Sequence, residues 1–131
     1  MVLVDASVWI YSERFHVPVA SLVARDEIIA TCPIIMQEVL RGTHNRSHYR
    51  LSRALLLAAE MLDAPTPFER FDTAADIFLK CRDAGIMPRS SVDCLVVATA
   101  LAYGATLLHD DRDFEHVKRV LPLKTLRPTR S

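Results

Sequence analysis

Short apolar runs that stop at an acid, separated by stretches of helical periodicity, constrain this chain more than any other feature. The opening run Val2-Leu3-Val4 stops at Asp5, and the later run "ATLLH" stops at Asp110 and Asp111. A further run, "EIIAT" at 27–31, ends just before Pro33. Apolar and β-branched runs without polar alternation read as strands buried on both faces, the kind found in parallel sheets. Parallel neighbours need a crossover connection, usually a helix.

The stretches between the runs fit that requirement. "VWIYSERF" reads as a helix start after Asp5 and Ser7. Pro33 suits a first helical turn and Gly42 an end, so a helix is expected over 33–41. "THNRSH" reads as a polar connector. Leu51, Leu55, Ala58, Ala59 and Leu62 recur at helical spacing, which predicts a helix from Tyr49 to Leu62 with those residues inward. "DAPTPFERF", broken by two prolines, reads as a turn or short strand, and Thr73 to Ala84 as another amphipathic helix. "SSVDCLVVATALAYG" carries the clearest helix signal: Ser90 can cap it, Asp93 lies in its first turn and Gly104 ends it. "LPLKTL" is a weak final strand. The expectation is one α/β domain over residues 1–131, a parallel sheet covered on both sides.

Sixteen Lys and Arg balance sixteen Asp and Glu, so net charge points to no polyanionic partner. The distribution is more informative. Between Glu38 and Glu60 lie four arginines, two histidines and no acid, and after Glu115 come five Lys or Arg and no acid. Such runs suit a solvated face or a nucleic-acid contact. Cys32, Cys81 and Cys94 are too widely spaced for a paired metal-ligand motif and odd in number, which suits buried thiols in a reducing compartment. No leader-like segment opens the chain and no apolar run approaches membrane-spanning length, so a cytoplasmic protein without membrane contact is expected.

Four acids stand out by position. Asp5 and Asp111 follow strands, and open parallel sheets bind ligands beyond the carboxyl ends of their strands. Asp93, at the start of the helix leading into the later strand, belongs near the same rim. Glu38 is flanked by Ile34, Ile35, Val39 and Leu40 on a largely apolar helix. Carboxylates converging in one cleft repel, and a hard divalent cation relieves the repulsion. Oxygen-only ligands favour Mg²⁺ or Mn²⁺ and phosphodiester chemistry. No histidine–cysteine cluster competes for zinc, and no glycine-rich phosphate loop is present. Taken singly, each acid has a plainer reading: Asp5 and Asp93 as helix caps, Asp110, Asp111 and Asp113 as a solvated turn, and Glu38 as part of an exposed helix face.

"VLVDASVWI", "QEVLRG", "SSVDCLVVATA" and "LLHDDRDFEHV" resemble, in that order, the motifs of PIN-domain ribonucleases, most of all the VapC toxins of bacterial toxin–antitoxin pairs. The resemblance covers nearly the whole chain. It implies a three-layer α/β/α sandwich and a toxin with Mg²⁺- or Mn²⁺-dependent endoribonuclease activity on RNA such as transfer or ribosomal RNA. It also implies a cognate VapB-type antitoxin as inhibitor, with homodimers and toxin–antitoxin hetero-oligomers. Carried over by position, Asp5, Glu38, Asp93 and Asp111 form the acidic set. Asp5, Asp93 and Asp111 hold the metal, and Glu38 binds directly or through water. Asp113 is an alternative fourth acid, and Ser7 matches a small hydroxyl near the metal. Relatives commonly carry asparagine where Asp110 stands, so this chain adds a negative charge there. In that setting Arg41, Arg46, Arg50 and Arg112 become candidates for gripping RNA phosphates, and the basic segment could instead meet the antitoxin. Trp9, where a helix begins, suits core packing better than base stacking.

Two rival readings belong to other classes. A phosphoacceptor receiver domain would need an acid pair after the first strand and a lysine at the acidic rim; Asp5 stands alone, and the lysines are Lys80, Lys118 and Lys124. A non-catalytic binding module would leave Glu38 without a role and predict no metal dependence.

Overall fold

A computed structural model describes residues 1–88 and 90–129. Five parallel strands form one sheet: β1 (Val2–Val4), β2 (Ile29–Thr31), β3 (Glu60–Met61), β4 (Thr106–Leu108) and β5 (Thr125–Leu126), in spatial order β3-β2-β1-β4-β5. Val2 pairs with Ile29 on one side and with Thr106 on the other, so β1 is the central strand. The connections are α1 (Ala6–Phe15), α2 (Pro33–Leu40), α3 (Arg46–Leu57), α4 (Phe68–Asp83), α5 (Ser91–Tyr103) and α6 (Arg112–Val117), with a short 3₁₀ turn at Val19–Leu22.

The side chains of the sheet alternate between two layers, as the period of a strand requires. Leu3, Ala30 and Leu107 pack with Ile77 and Cys81 of α4 and Val97 of α5. Val2, Val4 and Leu108 pack with Val8 of α1 and with Val19. Helices therefore flank a fully parallel sheet, as the alternation of runs and helices implied. Trp9 belongs to the packing, half-buried with its indole N–H donated to the Val4 carbonyl at 3.1 Å. All three cysteines are buried free thiols. Burial pushes Cys32 up to about 11, and burial, with Cys81 and Asp93 nearby, does the same to Cys94. Both remain thiols at neutral pH.

Several boundaries differ from the sequence reading. Asn45 caps α3 by accepting the His48 amide at 2.8 Å, so the helix begins inside the polar connector. It ends at Leu57, and Glu60–Met61 leave it to pair with β2 as an edge strand. Leu51 and Leu55, expected inward, are 64% and 57% exposed; Ser52 and Leu56 face the core instead. Pro67 sits in extended backbone at the start of α4, which therefore begins at Phe68 rather than Thr73. The short α6 lies where the sequence reading had no helix.

No helix among the described residues is long and apolar enough to cross a membrane.

Candidate metal centre

Strand order reverses at β1: the chain moves outward through β2 and β3, then returns to β4 on the opposite side of β1. Such a switch point leaves a crevice beyond the carboxyl ends of the two central strands, since their connections leave in opposite directions. Asp5 follows β1 there, and Asp110 and Asp111 follow β4. The Asp5 amide donates to the Leu108 carbonyl at 2.9 Å, continuing the ladder to the rim.

Asp5 is the N-cap of α1 and is almost fully buried. Its Oδ2 accepts the Ser7 amide at 3.0 Å and the Ser7 hydroxyl at 2.5 Å. Burial raises its pKa, opposed by those two bonds, by the Ala6 amide and by the nearby His109. The Ser7 oxygen in turn accepts the Asp110 amide at 3.0 Å, which clips the β1 exit to the acidic turn.

The structure brings together Asp93, Asp111 and Asp113, all partly buried, with ligand oxygens within 4.8 Å of one another. Each is placed by local chemistry. Ser90 caps α5, its hydroxyl accepting the Val92 amide at 3.1 Å and the Asp93 amide at 3.3 Å, so Asp93 sits in the positive first turn of a helix. Asp111 caps α6, its Oδ1 accepting the Asp113 amide at 3.0 Å. Asp5 and Glu38 stand outside that 4.8 Å group. Asp113, which the sequence set below Asp111, shares the cluster. Glu38 is partly buried on α2, which packs on both α1 and α5, and pairs with Arg41 at 3.1 Å. The extra charge of Asp110 faces Arg127 at 3.5 Å.

The donor set consists of carboxylate oxygens, with no thiolate or imidazole in the group. That chemistry fits a hard divalent cation, which favours oxygen ligands and offsets their mutual repulsion. One supporting network was not anticipated. His109 is fully buried directly after β4; its Nδ1 accepts the Asp111 amide at 3.1 Å and its Nε2 meets Glu115 Oε1 at 2.8 Å. The sequence does show Glu115 near His109, but only α6 turns it back onto the ring.

The arginines lie in two places. Arg41, Arg46 and Arg50 are exposed around the α2–α3 turn, where a polar cavity of about 320 Å³ is lined by Arg41, Thr43, Arg46 and Tyr49. The Arg46 guanidinium lies 5.8 Å from the Tyr49 ring centre. Arg112 is exposed on the acidic turn itself. A larger groove of about 910 Å³ runs between α1, β2 and α3, with Trp9, Val17, Leu51 and Leu55 among its walls. Glu13 meets the His48 ring beside it, joining α1 to α3.

Residues 2–120 match the PIN domain family profile. The chain is 30% identical over 130 residues to the VapC ribonuclease Mb1587 of Mycobacterium bovis and to ribonuclease VapC11 of Mycobacterium tuberculosis, covering 95% of this chain and 96% of either relative. Its fold is similar to that in the crystal structure of VapBC2 from Rickettsia felis bound to a DNA fragment from their promoter. The TM-score is 0.78 at 19% identity, over 98% of this chain and all of that one.

Proposed function

This chain belongs to the PIN-domain family and is a homologue of the VapC ribonucleases, and on that premise we propose that it is a toxin endoribonuclease that cuts RNA phosphodiester bonds with Mg²⁺ or Mn²⁺ and is neutralised by a VapB-type antitoxin. The observation that carries the reading is the meeting of Asp93, Asp111 and Asp113 within 4.8 Å at the switch point, with Asp5 at the neighbouring strand exit.

In this reading Asp5, Asp93 and Asp111 hold the cation, Asp113 joins them, and Glu38 orients the attacking water. When bound, the cation supplies an acidified water and positive charge for the departing oxygen. Ser7 fixes the Asp5 carboxylate by hydroxyl and amide, both on one oxygen, which sets its orientation at the strand exit. Arg112, on the acidic turn, meets the phosphate nearest the scissile bond. Arg41, Arg46 and Arg50 hold RNA further along the strand, where phosphate contacts set register rather than sequence. The apolar groove supports the antitoxin reading, since Leu51 and Leu55 stay exposed at a cost that a docked apolar segment would remove.

The test is cleavage of purified transfer RNA and ribosomal RNA. Cutting is expected with Mg²⁺ or Mn²⁺, lost with EDTA, and abolished in Asp93→Asn with the fold retained. Cleavage that survives both EDTA and Asp93→Asn would exclude this mechanism and favour a rival class.

A further inference from the structure

His109 takes no part in the reaction as proposed, yet it is fully buried and both of its ring nitrogens are engaged. Nδ1 accepts the amide proton of Asp111, so the ring proton resides on Nε2 and is donated to Glu115 Oε1. The same carboxylate oxygen accepts the Thr125 hydroxyl at 3.0 Å, and Lys118 approaches the other oxygen at 3.6 Å. Phe114 packs on the imidazole with ring centres 5.1 Å apart, which restricts rotation of the ring. The chain of contacts therefore runs from β5 through Glu115 of α6 and His109 of the β4 exit to the backbone of Asp111.

We propose that His109, backed by Glu115, is a positioning residue that holds the Asp111 main chain where its carboxylate can share a cation with Asp93 and Asp113. The Asp111 amide precedes the first turn of α6, where a helix offers it no backbone acceptor, and the imidazole supplies one that ties down this peptide plane. The Asp111 side chain is tied in turn to the Asp113 amide. Swinging the plane would move two of the three clustered carboxylates together. Partners behind metal ligands act in this way, through orientation rather than contact. The inference rests on reading the cluster as a cation site.

The experiment measures Mn²⁺ affinity of the full chain by electron paramagnetic resonance of free Mn²⁺, with a thermal melt on each variant. His109→Leu removes both ring bonds and is expected to weaken Mn²⁺ binding about tenfold or more. His109→Asn keeps an acceptor for the Asp111 amide and is expected to stay within about threefold of the unsubstituted chain. A purely structural role predicts no such rescue, because asparagine suits a buried site beside Phe114 no better than leucine. Equal weakening by both, or unchanged affinity in folded His109→Leu, would overturn the proposal. Should His109→Leu fail to fold, Glu115→Ala on the more exposed α6 decides: several-fold weaker binding supports the proposal and unchanged binding refutes it. Asp93→Asn is the control. If it binds Mn²⁺ as tightly as the unsubstituted chain, the cation-site reading fails and takes this proposal with it; if it loses binding while the His109 variants do not, only the positioning role fails.

Discussion

The amide of Asp110 donates to the Ser7 hydroxyl at 3.0 Å, across 103 residues of sequence, and the same hydroxyl donates to Asp5. One serine thus joins the exits of the two central strands at the point where strand order reverses. The acid that follows β1 and the acids that follow β4 are held as one unit.

Ser7→Ala should loosen that unit. The loss of two hydroxyl bonds is expected to cost about 1–2 kcal/mol, since the buried Asp5 carboxylate loses a charge-assisted partner. Urea denaturation measures the cost, and RNA cleavage should fall with it. Ser7→Thr, which keeps the hydroxyl, should recover most of both. An alanine variant as stable and active as the unsubstituted chain would show that the clip carries no energy.

Cation binding should appear as stability. A ligand that binds only the folded state at a hundred times its Kd stabilises by about 2.7 kcal/mol. Adding Mn²⁺ should therefore raise the melting temperature by several degrees, and EDTA should reverse it. Asp111→Asn should abolish this shift without unfolding α6, because asparagine caps a helix as well as aspartate does. A shift that persists in Asp111→Asn would place the cation elsewhere.

Two groups give opposite pH dependences. Glu115 is partly desolvated, which works against ionisation, but the His109 and Thr125 hydrogen bonds and Lys118 outweigh this and lower its pKa below 4.5. Its contribution is present above its unfolded pKa and is lost as pH falls through the folded one. Asp5, raised above 3.8 by burial, takes up a proton on folding, so its contribution falls as pH rises through that interval. In EDTA, Asp5→Asn should remove this loss, so the variant gains on the unsubstituted chain between acid and neutral pH. Glu115→Gln should blunt the loss of stability on acidification. Urea midpoints measured across that range test both signs.

The positions of Asp5 and Asp111 were readable because strand exits follow from apolar runs, and the rim rule then places both at one edge of the sheet. Ser90, Asp93 and Gly104 were equally readable, since caps are local. What escaped the sequence depends on neighbours. Periodicity marked one apolar stripe on α3 but could not say whether the sheet would cover it, so Leu51 and Leu55 were placed inside. Glu60 and Met61 pair only because β2 offers an edge. Pro67 reads as a breaker, although its extended backbone starts α4. Asp113 enters the cluster through the turn of α6, a helix too short to announce itself.

That misplaced stripe yields the last prediction. Leu51 and Leu55 lie on the groove side of α3, while Arg46, Arg50 and Arg53 follow one another at i, i+4 and i+7 along its opposite, exposed side. One helix therefore offers an apolar wall and a basic wall that substitutions can separate. Leu51→Glu and Leu55→Glu replace exposed side chains, so stability should change by no more than about 0.5 kcal/mol. If the groove receives an apolar antitoxin segment, a buried charge there should cost about 2 kcal/mol or more, roughly a thirtyfold loss of affinity. The variants should still cut RNA but escape inhibition by antitoxin. Arg46→Ala with Arg50→Ala should do the reverse, weakening RNA binding and flattening its salt dependence while inhibition persists. Inhibition assays and RNA-binding titrations on the same proteins distinguish the walls. If both sets of substitutions lost antitoxin and RNA together, α3 would be acting as a single surface.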